Sequence, residues 1–203
     1  MTLPERLATL ARSIVDSLTK TDYQHNENID AAAGIYECDC NGFVGFVLQK
    51  IAPEHYASIP KEATQPRPRA FEYYMFLASL LPDAAGGWRR IDLLSQARAG
   101  DVIAWRFPTI KLGHDTGHVL LVAETPTTDS DGIVSVTVSD SAAEPHFNDT
   151  RGTGAGIFPN GVGRGVIKFR TDGAGRPIAF QFAPPTSAEF SFLDIAIGRV
   201  EAT

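Results

Sequence analysis

Beyond Gly100 this chain is a succession of short β-rich apolar runs broken by turn residues, and that grammar limits what it can fold into. Residues 101–107 (DVIAWRF), 117–124 (GHVLLVAE) and 132–140 (GIVSVTVSD) are β-rich runs bounded by turn residues, the pattern of strands buried on at least one face. Residues 165–182 place two more runs around DGAG, a hairpin signal, and residues 192–200 predict a last strand. Ahead of Gly100 the period is helical. Leu7, Leu10, Ile14 and Leu18 form one stripe, and Phe43, Val44, Val47, Leu48 and Ile51 form another over residues 40–51. Asp39 is the expected N-cap of that second helix, and Pro53 lies just past its end. Residues 69–81 predict a third helix, stopped by Pro82 and the Gly86-Gly87 pair. The polar stretch 21–39, the Pro-rich stretch 52–68 and the Gly-rich stretch 141–165 read as loops, the last long enough to be functional. Helices first and antiparallel strands later is an α+β order.

The chain has 203 residues, of which 43% are hydrophobic, enough for one well-filled core. One domain over residues 1–203 is expected, with loops and a helix at about 52–98 between the second helix and the strands. The net charge of −6 comes without any Lys/Arg run, which argues against nucleic acid and anionic membranes as partners. No apolar run approaches the roughly 20 residues of a membrane span. The N-terminus lacks the basic-then-apolar order of a signal peptide. The chain as written is cytoplasmic, or periplasmic or secreted with its leader removed; the sequence leaves compartment and oligomeric state open.

Both cysteines, Cys38 and Cys40, stand one residue apart. A bridge across one residue is strained, and zinc would need two further ligands where no second Cys pair exists. Cys40 falls in the first turn of a predicted helix. The helix dipole there lowers a thiol pKa, and free backbone N–H groups can hold an oxyanion. The competing reading is a buried small hydrophobe. Of the five histidines, His25 and His55 read as surface residues and His146 sits in the Gly-rich loop. His118 opens a strand and shares a face with Leu120 and Val122. Asp140 ends the buried face of Val134, Val136 and Val138, so a hairpin between the two strands brings His118 to Asp140 as base and orienting carboxylate. His114 competes for the role of base. Gly113 and Gly117 around it indicate a loop, so the His114–His118 spacing does not imply a helical metal pair.

The block DCNGFV (39–44), followed by AGDVIAW (99–105), GHVLLVAE (117–124) and VSVTVSD (134–140), resembles the NlpC-type cysteine peptidases and amidases of bacterial cell walls. Asn41 stands where that family has Ser, and Asp140 where it more often has His. The resemblance implies a papain-like fold, with N-terminal helices packed on an antiparallel sheet of about five or six strands. It implies a thiol protease chemistry with Cys40 as nucleophile, His118 as base and Asp140 as orienting residue. Asp39, Tyr36, Asn41, His114 and Trp105 are the candidate substrate contacts. The implied substrate is an amide in a peptidoglycan stem peptide, cleaved without metal or organic cofactor. Two other readings stand beside this hydrolase: a non-catalytic peptide or glycopeptide-binding module on the same fold, and a thiol acyltransferase.

Overall fold

The computed structural model describes residues 1–110, 114–183 and 189–202. Gly113, read above as part of a loop, lies outside the described residues. Side-chain caps set the starts of the two long N-terminal helices. Helix α1 (Leu3–Asp16) opens on a capping box in which Thr2 Oγ1 accepts from Glu5 N–H and the Glu5 carboxylate accepts from Thr2 N–H. Three short strands follow, β1 (Lys20–Asp22), β2 (Asn28–Asp30) and β3 (Ile35–Glu37), in a small sheet ordered β1-β3-β2. Helix α2 (Cys40–Ile51) begins where Asp39 Oδ1 accepts from Gly42 N–H at 2.8 Å, as its sequence predicts. Helices α3 (Pro53–Ala57) and α4 (Ala70–Ser79) complete the helical part.

The remaining strands are β4 (Trp88–Ile91), β5 (Val102–Arg106), β6 (Gly117–Val122), β7 (Thr127–Thr128), β8 (Val134–Ala142), β9 (Gly161–Thr171), β10 (Pro177–Gln181), β11 (Ser191–Phe192) and β12 (Ile195–Val200). They form one sheet in the order β11-β10-β9-β8-β6-β5-β12-β4, with β7 beside β8. Strands β5 and β6 are apolar on both faces because both faces are covered. Val102, Ala104, Val119 and Leu121 pack under α1, α2 and α4 in one core, with Phe43, Val44 and Val47. Ile103, Trp105, Leu120 and Val122 face a second core with Val136, Val138, Phe169 and Phe180.

The expectation of a papain-like NlpC-type sheet of five or six strands is thereby corrected. The protein is α+β, with a nine-stranded sheet and a separate three-stranded one. The missed strands are short or polar. Strands β1, β2, β7 and β11 span two or three residues each, too few for an alternation to show, and backbone pairing alone defines them. The stretch read as a Gly-rich loop gives its ends to β8 and β9, and the Pro-rich stretch contains α3. Among the described residues, no helix is long and apolar enough to cross a membrane.

Candidate functional site

Asp140 is the centre of a buried polar assembly. Its Oδ2 accepts from His118 Nε2 at 2.6 Å and from His146 Nε2 at 2.8 Å, while its Oδ1 accepts from Arg151 Nη2 at 2.9 Å. An ionised carboxylate only accepts, so both rings carry their proton on Nε2. Among the described residues His146 Nδ1 has no hydrogen-bond partner. Burial by itself raises the Asp140 pKa, but His146, Arg151 and the two imidazole hydrogen bonds outweigh it and hold the carboxyl well below the usual range.

The strands explain how these groups meet. β6 and β8 pair face to face at Leu121–Ser139 and Val122–Val138, so His118 and Asp140 are offset along the strands and joined by side chains. Directly opposite Asp140 on β9 is Gly163, and opposite Val138 is Gly165. A Cβ on Gly163 would lie 2.6 Å from Arg151 Nε, and one on Gly165 would lie 2.6 Å from Asp149 Oδ2. Two glycines on one strand face thus make the room into which the segment after β8 folds back. Arg151 fills it, donating from Nε to Asp149 Oδ1 (2.9 Å) and from Nη1 to the Gly161 carbonyl (2.9 Å). Asp149 Oδ2 also accepts from His146 N–H at 2.6 Å, which fixes that histidine. His146 and Arg151 were missed as site residues because nothing in their own segment marks them. The available signal was GVGRG (161–165), a strand with glycine at alternate positions, which marks a close approach.

The cysteines belong elsewhere. A cleft of about 360 Å³ opens at the start of α2, lined by Asp39, Cys40, Asn41, Arg67, Arg69 and His114. Cys40 itself is 3% exposed and packs in the helix-side core with Val119 and Leu121. Its Sγ donates a long hydrogen bond to Asn41 Oδ1 at 3.8 Å. His118 alternates with Leu120 and Val122 toward the other core, its ring 5.1 Å from Trp105 and 6.0 Å from Phe182. Among the described residues no hydrogen bond joins the thiol to an imidazole. Burial, then the neighbouring Asp39 charge, pushes the Cys40 thiol well above its ordinary value, opposite to the helix-dipole expectation. Burial pushes Cys38 up as well.

Of the other expected residues, Asp39, Asn41 and His114 share the cleft at Cys40, while Tyr36 and Trp105 lie outside its lining. Asp39 caps α2 and takes Arg67 Nη2 and His25 Nδ1 on Oδ2, at 3.0 Å and 3.1 Å. Tyr36 packs edge-on against Phe46 in the helix-side core. Trp105 stacks on Phe180 at 4.1 Å and borders a second, smaller pocket that His118 also lines. His55, expected on the surface, is buried against Trp88 with Nε2 on the Glu201 carbonyl at 2.9 Å.

No family model matches the chain, and no solved structure matches it. The chain is similar to an uncharacterized protein of Acanthamoeba polyphaga mimivirus, 26% identical over 209 residues that cover 90% of this chain and 88% of the relative. The resemblance to NlpC-type bacterial cell-wall peptidases is overturned, and with it the thiol hydrolase acting on peptidoglycan and the Cys-His-Asp triad. His118 and Asp140 are joined to His146, not to Cys40. The acyltransferase reading falls with the thiol, and the binding-module reading with the fold. Packing accounts for DCNGFV without catalysis. Asp39 caps the helix, Phe43 and Val44 fill the core, and Gly42 admits Cys38, whose Cβ would lie 2.9 Å from an added methyl.

Proposed function

We propose that this protein binds a divalent first-row transition-metal ion through His118, Asp140 and His146. One observation carries the reading: three buried side chains from two strands and a returning segment offer two imidazole nitrogens and a carboxylate oxygen, all within 4.8 Å of one another. Metal–nitrogen and metal–oxygen bonds of about 2.0–2.2 Å hold ligands roughly 3 Å apart, so the hydrogen-bonded cluster needs to open by only a few tenths of an ångström. The ion would take the place of the two Nε2 protons. Two nitrogens and one oxygen suit Zn(II), Fe(II) or Co(II) better than Ca(II) or Mg(II), which take oxygen ligands. Arg151 on Oδ1 leaves Oδ2 free for the ion and supplies the outer hydrogen bond that ligating carboxylates usually have. In the bound state His146 Nδ1 becomes a buried donor without an acceptor, a cost of about 1–3 kcal/mol. Zinc binding at structural sites releases about 10 kcal/mol or more, so the cost does not decide the outcome. His118, whose side chain is 11% exposed, is the ligand through which a bound ion meets solvent.

The test is metal content. Chelator-treated protein is incubated with Zn(II), Co(II) or Fe(II), passed through a desalting column and assayed by elemental mass spectrometry. One ion per chain is expected, lost in His146→Ala and retained in Cys40→Ala. A wild-type protein that stays metal-free with every ion sinks the reading and leaves the cluster as a proton-filled network.

A further inference from the structure

Next to His118 lies a pocket of about 160 Å³ that the metal reading does not use. Its walls are aromatic: Tyr23, Trp105, Phe107, Phe180 and Phe182. Trp105 and Phe180 stack at 4.1 Å, and Phe182 lies 5.0 Å from Phe180 with one face on His146 at 4.7 Å, so three of these rings form a continuous bank. Phe107 is 37% exposed at the mouth, an uncovered ring where burial would be the rule. Among the described residues, and apart from the His118 imidazole, the charged groups at the rim are carboxylates. Asp115 takes the Tyr23 hydroxyl at 3.0 Å and lies 3.6 Å from His25 Nε2, and Glu144 has no hydrogen bond or ion pair among the described residues. Among the described residues no Lys or Arg lines the pocket.

We infer that this pocket binds the ammonium head of a small organic cation. Aromatic faces carry negative potential and attract cations, most strongly when water is excluded, and quaternary ammonium groups are held in aromatic cages of this kind. Glu144 and Asp115 add full negative charge at the rim. The size decides between a head and a whole molecule. Pockets for complete small ligands run to about 300–1,000 Å³, so this one takes a head group only. The larger cleft shares Asp115 and Gly117 with it and is where the rest of the molecule extends. A neutral apolar group would gain the same burial but none of the attraction of the ring faces and the rim carboxylates, and an anion would meet two carboxylates. A metal ion behind His118 would bring positive charge toward the pocket, so it should weaken the ammonium head's binding without abolishing it.

The experiment compares choline with its uncharged isostere 3,3-dimethyl-1-butanol, and with benzoate, by calorimetry and ligand-observed NMR on full-length protein in chelator. Choline is expected to bind at least tenfold more tightly than the isostere, with benzoate undetected. Glu144→Gln and Phe107→Ala, both exposed and away from the core, should each weaken choline several-fold with circular dichroism unchanged. Equal affinity for choline and the neutral isostere overturns the inference, as does preference for benzoate or absence of choline binding. The chelator arm separates this test from the metal reading. Choline binding by metal-free protein that also refuses metal supports the pocket alone, and repeating the titration after Zn(II) loading should raise the choline Kd.

Discussion

Replacing Arg151 with Met should destabilise the protein by about 3–5 kcal/mol, the usual result of removing one partner from a buried ion pair. Met keeps much of the apolar stem, so the change isolates the charge. The guanidinium lies between Asp140 Oδ1 at 2.9 Å and Asp149 Oδ2 at 2.8 Å, and all three side chains are 0–1% exposed. At an effective dielectric near 20, charge centres about 4 Å apart attract by about 4 kcal/mol per pair. The desolvation of Arg151, avoided in the variant, offsets part of two such terms, which returns the total to the stated range. Domains of this kind are stable by about 5–15 kcal/mol, so the variant should remain folded with a much lower urea midpoint and an unchanged slope. Asp149→Asn combined with Arg151→Met should be less destabilised than the sum of the single changes, by at least about 1 kcal/mol, because it removes the orphaned charge too. A single-variant loss below about 1 kcal/mol, or strict additivity in the double variant, would refute this reasoning.

Three further outcomes follow from the packing. Both thiols should alkylate far more slowly than a peptide cysteine up to about pH 9, and rapidly only after unfolding; fast iodoacetamide labelling of Cys40 near neutral pH, mapped by mass spectrometry, would contradict the burial argument. The sign for stability is fixed by the same upward shifts. A raised thiol pKa contributes stability that is complete below the unfolded value near 8.5 and is lost as pH rises toward the folded value, so urea midpoints should fall above about pH 9, less steeply in Cys38→Ala. Gly100→Ala should cost about 3 kcal/mol or more, since Gly100 has φ +91° and an added Cβ would lie 1.9 Å from the Pro4 carbonyl oxygen. Gly86→Ala, with φ +59° and nothing within 4 Å, should cost only about 1–2 kcal/mol; equal thermal shifts in the two variants would show that backbone conformation alone matters.

The sequence by itself determined the local elements. Thr2 with Glu5, and Asp39 with the backbone of Gly42, start α1 and α2 where their hydrogen-bonding side chains require. Continuous apolar runs between turn residues fix β5 and β6, and alternation fixes the first half of β8, because the pattern of apolar residues reports which faces are buried whatever the partner is. The pairing of His118 with Asp140 was also legible, since each ends the apolar face of its own strand at the same end of a hairpin. What the sequence did not carry was the partner set. Cys40 begins its helix as read, but the sheet has two covered faces, and strand alternation sends His118 toward the one α2 does not touch. His146 and Arg151 reach Asp140 only because β9 presents Gly163 and Gly165 opposite β8, a registry between residues far apart in the chain. Local hydrogen bonding and side-chain period act within a few residues and so can be read along the chain. Which buried groups share one carboxylate depends on strand pairing across the sheet, and that only the tertiary structure decided.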